Sequence, residues 1–219
     1  MNALPGARDL ARGGCAFVVA LLAGLALAGP DALAAAGPDK SWPCVQRKVP
    51  VISAGMMWSG PAVDEADRSW QTSRTIAPLV NEAAARRVPL DDAKTAIASF
   101  AAGLEADKNR QLTALFTGLL QRINAERRDI IAGIERYAKR QAALAEKIKT
   151  QSGKLQKLRT EADASNERQK QIDELERQLA WDTRVFDERE QSLIYVCEAP
   201  VLLEQRLFAL ARKIMEFLE

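Results

Sequence analysis

The chain contains no histidine. That absence removes Ser-His-Asp and Cys-His catalysis, and with them histidine-based zinc, copper and non-haem iron sites. Aromatic residues make up 5% of the chain, too few for a surface on which bases stack. A formal net charge of +2 exerts no global pull on nucleic acid. There is no glycine-rich phosphate loop, no CxxC pair, no CxxCH haem attachment and no Met-x-Met repeat. Proline is missing from Leu90 to Ala199, and β-branched runs are missing apart from Val49-Pro50-Val51-Ile52. Hydrophobic residues at 47% beside charged ones at 27% exclude wholesale disorder.

The N-terminal region has the composition of an address. Arg8 and Arg12 precede an uncharged run from Gly13 to Pro30, with an apolar centre from Ala16 to Ala28. Ala32-Leu33-Ala34 and Ala34-Ala35-Ala36 follow, both of the small-x-small type. This pattern predicts a cleavable signal peptide over residues 1–36, cut after Ala34 or Ala36. The apolar centre is shorter than the roughly 20 residues of a spanning helix, so an uncleaved anchor is the weaker alternative. Cys15 precedes the apolar run, on the wrong side for lipid attachment. The expected destination is the bacterial periplasm. Removing Cys15 leaves Cys44 and Cys197, and an oxidising compartment with an even count predicts a Cys44–Cys197 disulfide.

Proline placement divides the remainder. Residues 37–61 read as an irregular strap carrying Trp42-Pro43-Cys44 and Met56-Met57-Trp58. Residues 62–132 read as a helical base, with a first helix over Val63–Ala85, a boundary near Pro78, and a second helix from Leu90 or Asp91. Acids at Asp91 and Asp92 suit a helix start. A break is expected between Gly103 and Asp107.

From there a long heptad begins. Ile123, Arg127, Ile130, Ile134, Tyr137 and Gln141 are spaced alternately by four and three. Leu144, Ile148, Gln151, Leu155, Leu158 and Ala162 continue the spacing. That alternation is the seam of a coiled coil. A second seam runs through Ile172, Leu175, Leu179, Phe186, Leu193 and Val196, and residues 161–167 between them suit a turn. Ser152-Gly153 competes as a turn, but the heptad passes through it without a slip.

Charge favours an antiparallel hairpin over residues 133–197. Arg136–Arg159 holds eight bases and one acid, whereas Glu161–Glu190 holds ten acids and five bases. A turn near residue 165 places Cys197 level with Gly133 and gives arms of about 48 Å. Pro200 is expected to open a separate C-terminal helix over residues 198–219. Its apolar face, from Leu202 and Leu203 to Phe217 and Leu218, would pack on Leu112, Leu115, Phe116, Leu119 and Leu120. The expected fold is all-α: a small helical base, a long antiparallel coiled-coil hairpin and a disulfide-tethered strap.

No chemistry stands out. Asp64, Glu65 and Asp67, and the pair Asp91/Asp92, sit at expected helix starts, the ordinary place for acids. Cys44, Met56 and Met57 are soft donors, but a disulfide removes the Cys44 thiolate. No cofactor and no metal are expected, and an enzyme is the least favoured class. Trp181 lies off the second seam with Val185 one turn on, packed under the strap or offered to a partner. Trp181, Val185, Tyr137, Gln141, Leu144, Ile148, Leu155 and Leu158 form the candidate interface. The expected partner is a cell-envelope protein, with a homodimer through the hairpin seam as a second mode. Arg136–Arg159 is a candidate contact for anionic envelope surfaces, and nucleic acid is excluded. The leading function is a non-enzymatic periplasmic scaffold. The alternative, by fold analogy alone, is a holdase-type chaperone.

Overall fold

The computed structural model describes residues 42–161 and 165–219. The expected signal peptide with its cleavage sites, the start of the strap, and Ala162 lie outside these residues. The described chain is all-α, with four helices and, among the described residues, no strand. They are α1 (Ile76–Ala84), α2 (Leu90–Ala102), α3 (Lys108–Thr160) and α4 (Asn166–Met215). At about 1.5 Å per residue, α3 and α4 are each roughly 75–80 Å long. None is long and apolar enough to cross a membrane.

The first helix is shorter than its pattern. Residues 63–68 are irregular, Ser69–Thr72 is a short 3-10 turn, and α1 starts only at Ile76. Asp64 and Asp67 explain this: their carboxylates accept backbone N–H groups two residues on, from Ala66 and Ser69. Such local turns compete with helix. Pro78 falls in the first turn of α1, where its missing N–H costs nothing. Between α2 and α3 the chain reverses through Gly103 and through Asp107, which adopts a left-handed conformation (φ 52°).

The main core lies where α1, α2, the strap and the C-terminal half of α4 meet the start of α3. Leu112, Leu115, Phe116, Leu119, Leu120 and Ile123 are fully or almost fully buried there. Leu203, Leu207, Leu210 and Ile214 close on them from α4. Gly118 is required: a Cβ would stand 2.6 Å from Val80 Cγ2 and 2.9 Å from Trp70 Cδ2. Leu202, expected on the apolar face, is 53% exposed.

The strap is fastened from end to end. Cys44 is disulfide-bonded to Cys197, with Cα atoms 5.6 Å apart. The Asn124 side chain donates to Ile52 O at 2.7 Å and accepts from Ile52 N at 2.9 Å, so both groups of a fully buried residue are satisfied. Trp58 stacks on Phe116 at 4.3 Å between ring centroids.

Pro200 does not start a helix. α4 runs through it without interruption. Proline in a helix interior costs about 3 kcal/mol. Packing on both sides offsets that cost, with Cys197 tied to the strap one turn before and Leu203 and Leu207 buried one and two turns after. The hairpin is antiparallel: Arg127 bonds Pro200, Tyr137 bonds Arg189 and Gln141 bonds Phe186. This register puts Cys197 about one turn nearer the base than Gly133.

The disulfide closes a span of 153 residues. Cys44→Ser/Cys197→Ser should lower stability by about 2–4 kcal/mol in denaturant titration, with little change in helical circular dichroism. Equal stability with and without the bond would show that the strap does not tie the helices.

Candidate interaction surface

The last α3 residue of the main core is Ile123, with Ile130 packed against it; beyond that the hairpin packs on itself, with Ile131 and Ile134 buried at its root. From Gln141 to Thr160, the residues of α3 not exposed are Gln141, Leu144, Ile148, Gln151, Leu155 and Leu158. Leu155 is buried and the others are half-buried. Ile172, Leu175, Leu179, Phe186, Leu193 and Val196 of α4 are half-buried opposite them. Most of the candidate interface therefore already faces the other arm of the same chain. Tyr137 and Gln141 use their polar ends on α4: the Tyr137 hydroxyl donates to Arg189 O, and Gln141 Nε2 donates to Phe186 O at 3.1 Å. Burial raises the Tyr137 phenol above its ordinary value, and the Arg189 charge opposes that shift.

Two polar residues stand out. Arg127 is 2% exposed. It donates to Pro200 O at 3.2 Å and to Val49 O at 3.1 Å, and meets Glu204 Oε2 at 3.4 Å. It thereby pins the strap, α4 and α3 at one point. Burial pulls its guanidinium below the ordinary arginine value, with Glu204 opposing. Arginine nevertheless stays charged at any physiological pH. Asp182 is 7% exposed within the second seam, where the apolar spacing skips from Leu179 to Phe186. Its carboxylate lies 2.8 Å from Lys147 Nζ, which reaches across from α3. The skipped heptad position was its signal in the sequence.

Trp181 projects away from the seam and is 63% exposed, with Val185 half-buried one turn on. The strap lies at the root of the hairpin, against Asn124, Arg127 and Cys197, and leaves Trp181 uncovered. Tyr195 (76%) and Ile194 (65%) are further large exposed side chains on the same helix. Sequence spacing alone did not single them out.

The charged arms are mostly solvated. Arg159 bridges to Glu176 at 2.5 Å across the hairpin, but exposed pairs of this kind contribute little. The acidic clusters have local duties. A groove of about 750 Å³ on the base is lined in part by Asp64, Asp67 and Arg110. Asp67 accepts the Ser69 N–H and hydroxyl, which hold its carboxyl below the ordinary value. Asp91 and Asp92 sit in the first turn of α2. Met56 is exposed and Met57 buried. No group of His, Cys, Asp and Glu side chains among the described residues is arranged to hold a metal ion. Comparison with protein-family models, with characterised proteins and with solved structures finds no match.

Two outcomes follow. Asp182→Leu should raise stability, because an apolar side chain continues the seam, whereas Lys147→Ala should lower it by about 1–3 kcal/mol by leaving a buried carboxylate unpaired. Thermal melts that place both variants on the same side of wild type would contradict this. For Tyr137 the folded-state value is raised, so its stabilisation is present below the ordinary tyrosine value of about 10 and is lost as pH rises through the raised value. Alkaline titration of stability should show this loss in wild type and not in Tyr137→Phe.

Proposed function

We propose that this protein is a non-enzymatic helical scaffold of the bacterial cell envelope, exported to the periplasm, whose coiled-coil hairpin is presented to an envelope protein. One observation carries the reading: the distal halves of α3 and α4 pack on each other and stand outside the main core. Their length adds nothing to burial in the base, so their use lies in what they hold out. Helical arms of this kind act through partner helices laid against them. The Cys44–Cys197 bond supports an oxidising compartment. It also ties the root of the hairpin, so that a load on the arm reaches the base.

The holdase alternative is favoured by one feature: Trp181, Ile194 and Tyr195 leave apolar surface exposed along an arm. Weak binding of many unfolded clients would use such surface. The basic run Arg136–Arg159 supports a secondary contact with anionic envelope surfaces.

The test is in-cell crosslinking and affinity capture, comparing wild type with a variant in which residues 142–185 are replaced by a short glycine-rich turn. The scaffold reading expects one stoichiometric envelope partner, lost in the shortened variant, with the base still folded by circular dichroism. A broad set of unfolded clients favours the holdase. A partner retained at full yield by the shortened variant contradicts both.

A further inference from the structure

We propose that the root of the hairpin is a hinge locked by the Cys44–Cys197 bond, so that a dithiol reductant turns a stiff arm into a swinging one. The device goes beyond the scaffold reading and is independent of what the arm presents to a partner.

Both helices carry a weak point where the hairpin leaves the base. In α3 it is Gly133, in the middle of a 53-residue helix. Glycine there weakens a helix, and a close approach or a special backbone angle is the usual reason for it. Neither applies. An added Cβ would meet only Arg136 Nη2 within 4 Å, at 3.8 Å, whereas at Gly118 it would stand 2.6 Å from Val80 Cγ2. Packing therefore demands Gly118, and backbone freedom is what distinguishes Gly133 from alanine. In α4 the weak point is Pro200, which has no N–H to offer Val196 O, so one bond of the helical ladder is missing. Long helices kink at such residues.

The two positions share one short length of the hairpin. Arg127 Nε donates to Pro200 O, which sets Pro200 level with Arg127. Gly133 follows Arg127 by about 9 Å along α3. The main core ends at the same level, with Ile123 its last α3 member and Ile130 packed against it. On the base side, α1, α2 and the strap brace the two long helices. On the far side, α3 and α4 brace each other. A bend at Gly133 and Pro200 would therefore swing the arm as one piece and leave the core intact.

The strap crosses this level and holds both helices around it. On the base side Arg127 holds Val49 O at 3.1 Å. Just past Gly133, Lys48 pairs with Glu135, and such part-exposed pairs contribute little. Between these two holds, Cys44 is bonded to Cys197. Cys197 is 6% exposed and Cys44 is half-buried, so an incoming thiolate reaches Cys44 Sγ first. Its attack breaks the S–S bond, forms a mixed disulfide on Cys44 and releases Cys197 as a thiolate, which takes a proton. The second thiol of the reductant closes on the first, releases Cys44 as a thiol and leaves as a disulfide. Two electrons and two protons have then passed to the protein. The covalent hold across the hinge is gone, while Arg127 and Asn124 keep the rest of the strap in place.

The test is a pulsed electron-spin distance from base to arm, between Asn81 on α1 and Gln156 on α3, both exposed. Gadolinium labels on ketone-bearing amino acids add no cysteine and tolerate reductant. The oxidised protein should give one narrow distribution. Excess dithiothreitol should broaden it at least twofold, with helical circular dichroism unchanged, and reoxidation should restore it. Cys44→Ser/Cys197→Ser should show the broad distribution without reductant. Gly133→Ala/Pro200→Ala, which repairs both helices, should stay narrow when reduced. Gly133→Ala alone, at a site with room for the methyl group, should remove part of the broadening. Equal widths in the two redox states, or broadening that persists undiminished in both alanine variants, would overturn the hinge. A disulfide that survives dithiothreitol in the folded protein would overturn the switch. None of these results bears on partner capture, which tests the scaffold reading separately.

Discussion

Everything distal in this molecule depends on the register of α3 against α4 at the root, and Arg127 is the residue where that register meets the rest of the chain. Its guanidinium is bonded at once to the Pro200 carbonyl of α4 and the Val49 carbonyl of the strap, with Glu204 beside it. A buried arginine is not in itself a stabilising device, since desolvation consumes most of what its contacts return. Its contribution is specificity. An apolar residue here would pack in any of several registers, whereas a buried cation must find these carbonyls. The disulfide one turn from Pro200 holds the same level covalently. Set at the root, the register places Tyr137, Gln141 and the Lys147–Asp182 pair along the arm.

The architecture was readable in the sequence because its signals are long and cumulative. The proline-free stretch from Leu90 to Ala199 admits few alternatives to helix, and two cysteines after the N-terminal region leave one pairing. Ser165 accepts the Arg168 N–H at the start of α4, which is the ordinary duty of serine at that position. Single-residue signals were less dependable. Pro200 reads as a helix start because propensity treats it locally, yet burial on both sides outweighs the lost hydrogen bond. The reading of Val63–Ala85 as one helix failed for the converse reason. Its apolar spacing was weak, and two aspartates found local N–H groups that a helix would have consumed.

The candidate surface was readable only in part. Trp181 was evident as a residue off the seam, but exposure is a property of what fails to cover it, and the strap's path is a tertiary fact. Asp182 shows in the sequence only as a gap in the second seam; its partner, Lys147, is distant in sequence and lies outside the α3 heptad.

The central claim is that the distal hairpin is a continuous, stiff arm standing clear of the base. The most direct measurement is a pulsed electron-spin distance between labels at Arg122 and Gln156, both exposed on α3. A continuous helix predicts one narrow distribution near about 50 Å. A broad distribution, or a main distance well below that, would mean that the arm bends or folds back, and would contradict the account.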